Sequence, residues 1–167
     1  MDACVGKLSS RPEELPDAIE RLQEQVGDGR RALKEMNRQL ADLEAATLDS
    51  TARVVGSCRV VLRTLEGRTA EYAQTLARKI ADSSGRIALL AATDSRGGMT
   101  TLVFTRSADG TPSEMKMGEI LSRVCTSRGG KGGGGKTFAR GGGIPFDAAG
   151  EALEEAFVIV DSLLESR

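Results

Sequence analysis

The sequence predicts a mixed α/β chain of the α+β kind, with a small sheet flanked by helices and preceded by a long, coiled-coil-like N-terminal helix. Three observations carry this expectation. A heptad-spaced apolar seam occupies the first third of the chain, short β-rich runs bounded by glycine follow it, and helical stripes alternate with those runs.

The seam comes first. Leu15, Ile19, Leu22, Val26, Gly29, Leu33, Met36, Leu40, Leu43 and Thr47 recur at alternating steps of four and three, as the a and d positions of a coiled coil do. Ser9, Ser10, Pro12 and Pro16 are start signals, and Glu13, Glu14 and Asp17 suit the positive end of a helix dipole. Gly27 and Gly29 each cost about 1 kcal/mol relative to Ala, so a break or a bend near residues 27–29 is compatible with the sequence. The apolar stripe needs a helical partner, from a second copy or from neighbouring protein. A single helix packed on its own domain is the plainer alternative.

After Asp49 and Ser50 the period changes. Arg53 to Leu65, rich in valine, reads as one strand closed by Gly67. Arg68 to Asp82 reads as a helix with Tyr72, Leu76 and Ile80 on one face. Ile87 to Ala92 and Thr100 to Thr105 read as a hairpin turning at Gly97–Gly98, and Asp109–Gly110 as the next turn. Ser113 to Arg128 reads as a helix, the glycine-rich 129–143 as a loop with a short strand within Thr137–Ala139, and Asp147 to Glu165 as a terminal amphipathic helix. Two regions result: a helical arm over 1–50 and an α/β domain over 51–167.

Composition narrows the chemistry. The chain has 167 residues, a formal net charge of −1, one Tyr, four Phe and no Trp, so its core rests on aliphatic residues and no global field draws it to nucleic acid. It has no histidine. That removes His-based zinc sites, Ser–His and Cys–His nucleophile pairs and His-containing two-metal centres. Cys4, Cys58 and Cys125 are scattered, which reads as reduced thiols in a cytoplasmic protein. No apolar run reaches membrane-spanning length and no signal-peptide pattern is present. No catalytic residue, metal ligand or cofactor is nominated.

The remaining chemistry lies in one segment. From Ile120 to Gly143 there are five basic residues (Arg123, Arg128, Lys131, Lys136 and Arg140) and no acidic one. They are interleaved with Gly129, Gly130, Gly132, Gly133, Gly134, Gly135, Gly141, Gly142 and Gly143. Glycine lets backbone N–H groups approach an anion, and Lys and Arg supply charge for phosphate oxygens. A concave cradle for a nucleic-acid backbone is the expectation, and a slack tether is the alternative. The stretch Gly130 to Thr137 also matches the G-x-x-x-x-G-K-[ST] phosphate loop. That motif works between a strand and a following helix, whereas here a helix precedes it and too little chain follows.

Two stretches carry a resemblance. Pro12-Glu-Glu-Leu-Pro16 opening a heptad helix is similar to the segment after the editing domain of alanyl-tRNA synthetases. Gly129-Gly-Lys-Gly-Gly-Gly134, followed by Phe138-Ala139 and Gly141–Gly143, resembles their C-terminal loop, which usually reads GGKGGGRPDMAQ-small-GG. Lys131 and the glycines match. Gly135 stands in place of the usual Arg with Lys136 one position on, Thr137 in place of Asp and Arg140 in place of Gln. The resemblance covers nearly the whole chain and implies the DHH-associated domain of that family or of a related alanyl-tRNA editing protein. It implies a non-catalytic module that contacts the outer corner of tRNA, alanine-specific by resemblance, with the arm serving for linkage and the arm or the domain for homodimerisation. The same domain type accompanies DHH phosphoesterases, so an accessory domain holding short nucleotides is the second functional reading.

Overall fold

The structure is a computed structural model that describes residues 14–93 and 98–165. The start signals Ser9, Ser10, Pro12 and Glu13, together with Cys4 and Gly97, lie outside the described residues. The elements in chain order are α1 (Leu15–Ser50), β1 (Arg53–Val55), β2 (Cys58–Glu66), α2 (Ala70–Ala81), β3 (Arg86–Thr93), β4 (Met99–Arg106), α3 (Met117–Thr126), β5 (Lys131–Gly134), β6 (Phe138–Pro145) and α4 (Ala149–Glu165). The fold class is the mixed α/β one expected, and the chain divides into two units, 1–37 and 38–167.

In the first unit α1 runs without interruption through Gly27 and Gly29, and Gly29 has open space where a Cβ would stand. Ile19, Leu22, Val26, Leu33 and Met36 are solvent-exposed on it, so the apolar seam meets no cover among the described residues.

In the second unit the six strands form one sheet in the order β1-β2-β3-β4-β6-β5. β2 and β3 pair in parallel through the α2 crossover, and every other neighbour is antiparallel. β3 is central and buried on both faces, which its run Ile87–Ala92 anticipates. Thr69 begins α2 by accepting the Tyr72 N–H at 3.2 Å. One face of the sheet packs on α2 and the last turns of α1 through Val61, Leu65, Leu90, Val103, Leu76 and Leu48. The other packs on α3 and α4 through Leu89, Leu102, Phe104, Leu121, Val124 and Leu153.

Two expectations are corrected. Arg53 to Leu65 is not one strand: Gly56, with φ of 56°, reverses the chain, and Val55 pairs with Cys58. A two-residue turn opening on a positive-φ glycine is a hairpin signal hidden within a valine-rich run. The glycine-rich segment is not a loop either, since Lys131–Gly134 and Phe138–Pro145 are strands, with the short strand expected near Thr137–Ala139 falling in the second. Glycine is a poor strand former, and here tertiary packing overrides that preference.

The C-terminal turns of α1 dock with the side that carries Ala41, Ala45 and Leu48, while Leu40 and Leu43 of the seam stay exposed. Acidic groups reinforce the docking. Tyr72 donates its hydroxyl to Glu44, Lys79 pairs with Asp42 at 2.7 Å, and Asp49 bridges Arg59 at 3.3 Å and Arg86. Burial, then the hydrogen bond to Glu44, pushes the Tyr72 phenol well above its ordinary range.

The approach to α3 depends on a buried cation. Arg106 is 5% exposed, and its guanidinium donates to the carbonyls of Met115 (2.8 Å) and Ser107 (3.1 Å) and to the Thr111 hydroxyl (2.8 Å). It thereby gathers the segment 107–116 that leads into α3. Arg106→Leu leaves those buried acceptors without a donor, at about 1–3 kcal/mol per group. Urea unfolding is expected to show a loss of at least about 2 kcal/mol; a change within about 0.5 kcal/mol would contradict this role for the guanidinium.

Candidate nucleic-acid interface

The basic segment forms a hairpin at the edge of the sheet, and its placement begins with α3. At the helix C-terminus the Gly129 N–H bonds the Thr126 carbonyl at 3.2 Å and the Gly130 N–H bonds the Cys125 carbonyl at 2.9 Å. Gly129, at φ of 74°, turns the chain straight into β5. Among the described residues β5 then pairs with β6 alone, from Lys131 opposite Gly142 to Gly134 opposite Ala139. The turn at the far end returns to the start of α3. There Met117 and Gly118 donate N–H groups to the carbonyls of Lys136 (3.1 Å) and Gly135 (3.0 Å). Helix and hairpin therefore hold each other at both ends.

Between those ends the helix lies directly on glycine. A Cβ on Gly132 would stand 2.7 Å from the Gly141 Cα and 3.1 Å from the Cys125 sulfur. One on Gly141 would stand 2.7 Å from the Leu121 Cδ2, and one on Gly118 would stand 2.8 Å from the Gly134 carbonyl carbon. These glycines are required by close packing. Gly133, Gly129 and Gly135 have room, with nothing nearer than 3.9 Å. Burial between α3 and the glycine strands pushes the Cys125 thiol above its ordinary value.

The register sorts the cations. Gly132, Gly134, Ala139 and Gly141 face α3, so Lys131, Gly133, Arg140 and Gly142 face the opposite side. Arg140 lies opposite Val103, whose side chain belongs to the α2-side core. Lys131 and Arg140 are thus a diagonal cross-strand pair, about 7–8 Å apart at the backbone. Arg78 of α2 joins them, its guanidinium 5.1 Å from the centre of the Phe138 ring. On the α3 side, an open groove of about 820 Å³ runs between the helix and the hairpin tip, with Lys116, Arg123 and Lys136 on its walls. Lys116 pairs there with Glu119 at 2.6 Å.

Of the basic residues expected to act together, Lys131 and Arg140 share one face, while Arg123 and Lys136 share the other. All four are exposed, and none forms an ion pair among the described residues. Arg128 is set apart, because its guanidinium is half-buried against Glu155 of α4 and fastens the helix end there. Arg78 and Lys116 are basic contributors that sequence reasoning missed. Both lie outside the glycine segment, and nothing in their local sequence marks them. The Gly130–Thr137 match to the phosphate loop is a strand and turn preceded by a helix, the reverse of the order that motif requires.

The free edge adds backbone groups. The Gly135 N–H donates to the Phe138 carbonyl at 2.8 Å and closes the turn. By the alternation of an antiparallel ladder, the peptide groups of Lys131 and Gly133 then face β6 and that of Gly132 faces the open edge, while the Gly134 backbone lies against Gly118 at the start of α3.

No protein-family model matches the chain. It is 29% identical over 99% of its length to the alanine–tRNA ligase of Thermosynechococcus vestitus, and 34% identical over 92% to that of Methanoculleus marisnigri. It spans only 19% and 16% of those two relatives. Among solved structures, the C-Ala domain from the alanyl-tRNA synthetase of Aquifex aeolicus is similar in fold. The TM-score is 0.56 at 21% identity, covering 68% of this chain and 96% of that one. Among the described residues no helix is long and apolar enough to cross a membrane.

The glycine contacts set two substitutions against each other. Alanine at Gly118 gains about 1 kcal/mol in helix propensity, but its methyl meets backbone that no rotamer change can clear. Gly118→Ala is expected to lower unfolding free energy by about 1–3 kcal/mol, and Gly133→Ala to stay within about 0.5 kcal/mol. Equal stability of the two variants in urea titration would remove the packing explanation.

Proposed function

We infer that this chain, homologous along nearly its whole length to a segment of the alanine–tRNA ligases, is a tRNA-binding module that performs no chemistry of its own. Lys131, Arg140, Arg123 and Lys136 neutralise RNA phosphates from the sheet edge, and the glycine backbone brings peptide N–H groups within reach of the same strand. Alanine-specific tRNA is the partner, and a chain with that partner works in the cytoplasm. Any ligase or editing activity lies in other parts of a longer protein.

One observation carries the reading. In a chain of net charge −1, four exposed cations without an ion pair among the described residues gather at an edge whose sequence holds no acid between Ile120 and Gly143. Charge in that arrangement binds nucleic acid without any global field, through counterion release at each phosphate contact. The relatives above are ligases, and that favours tRNA over the short nucleotides of a DHH-type phosphoesterase.

The arm supports association. Seven seam positions from Ile19 to Leu43 are exposed apolar side chains on one continuous helix, and a second copy of the same helix is a fitting cover.

Replacing Lys131 and Lys136 together by Ala is expected to weaken tRNA binding roughly tenfold at moderate salt and to reduce the log–log salt slope by about two. Unchanged affinity and slope in a filter-binding titration would reject the hairpin as the RNA contact. Leu33→Glu with Met36→Glu is expected to convert a dimer to a monomer in sedimentation equilibrium, since two charges would enter an apolar seam. A monomer before and after substitution would reject association through the arm.

A further inference from the structure

The division of the cations between two faces bears on which kind of RNA the edge fits. A single strand lying along one face would engage one set and leave the other in solvent. Here both sets flank the same edge: Lys131, Arg140 and Arg78 on the α2 side, and Arg123 and Lys136 beside the Lys116–Glu119 pair on the α3 side. Between them β5 presents bare backbone, since Gly132, Gly133 and Gly134 carry no side chain that would hold a ligand away. The Gly132 peptide group at that edge supplies a donor and an acceptor.

A ridge with a polar, side-chain-free crest and cations on both slopes is complementary to a groove bounded by two phosphate backbones. In A-form RNA the minor groove is wide, shallow and lined with 2′-hydroxyls, each able to donate and accept a hydrogen bond. The major groove is too deep and narrow for such an edge, and the floor of the B-DNA minor groove lacks those hydroxyls. We propose that the β5–β6 edge enters the minor groove of double-helical RNA, with the two cation sets on opposite phosphate strands and the glycine backbone against the 2′-hydroxyls. This deepens the tRNA-binding reading and rests on it. It assigns the contact to a paired stem and predicts recognition by shape and sugar rather than by base sequence.

The test is fluorescence anisotropy of the full chain with whole tRNA, a short blunt RNA duplex, the DNA duplex of the same sequence and one RNA strand alone, at one salt concentration. The RNA duplex is expected to bind at least roughly tenfold tighter than the DNA duplex or the single strand. Lys131→Ala with Arg140→Ala, and separately Arg123→Ala with Lys136→Ala, should each weaken the RNA duplex and lower its salt slope by about two. All four positions are exposed, so circular dichroism should show both variants folded. Equal binding of RNA and DNA duplexes, preference for the single strand, or dependence on one face only would overturn the proposal while tRNA binding itself stands. Loss of all RNA binding in the unsubstituted chain would overturn the tRNA reading beneath it.

Discussion

The close approach of α3 to the glycine strands is the contact on which the rest of the domain's surface depends. Helices usually meet sheets through interdigitated side chains, but here Leu121 and Cys125 rest directly on the backbone of Gly132 and Gly141, and the start of α3 donates its N–H groups to carbonyls of the hairpin turn. With no side chains on the strand side of the contact, the helix approaches the sheet edge closely. The hairpin is therefore held as a defined ridge, where a glycine tract of the same composition in solution would be a flexible coil. Ordering glycine is entropically costly, and the packing and hydrogen bonds at both ends of the helix offset that cost.

That constraint explains why the fold was largely legible in the sequence and the site only partly so. The central strands, α2, α3 and α4 follow from periodicity and turn residues, because burial imposes those patterns directly. The hairpin at Gly56 was hidden because Val54, Val55, Val60 and Val61 read alike on either side of it. β5 and β6 were hidden for a deeper reason. Glycine signals a loop by local preference, and only the tertiary contact with α3 makes its lack of a side chain a requirement for a strand. The cations of the segment were visible, but their partition between two faces depends on the register of a strand that local preference argued against. Arg128 looked like its neighbours and is instead spent on Glu155.

The helical arm shows the same division. Its heptad spacing was plain, yet the face that docks on the domain is the quieter one. Ala41, Ala45 and Leu48 bury against α2, and small side chains of that kind leave a weaker periodic trace than leucine and valine do. The conspicuous seam is left for something else. An exposed apolar stripe of this length is the feature on which the proposed association through the arm rests.

Amide hydrogen exchange with and without tRNA tests the central claim most directly. If the glycine ridge holds the RNA, the β5 amide of Gly132 slows on tRNA addition, together with the outer turns of α3. Protection confined to α1 or to the exposed face of α4, with β5 exchanging as fast as in the free chain, would contradict it.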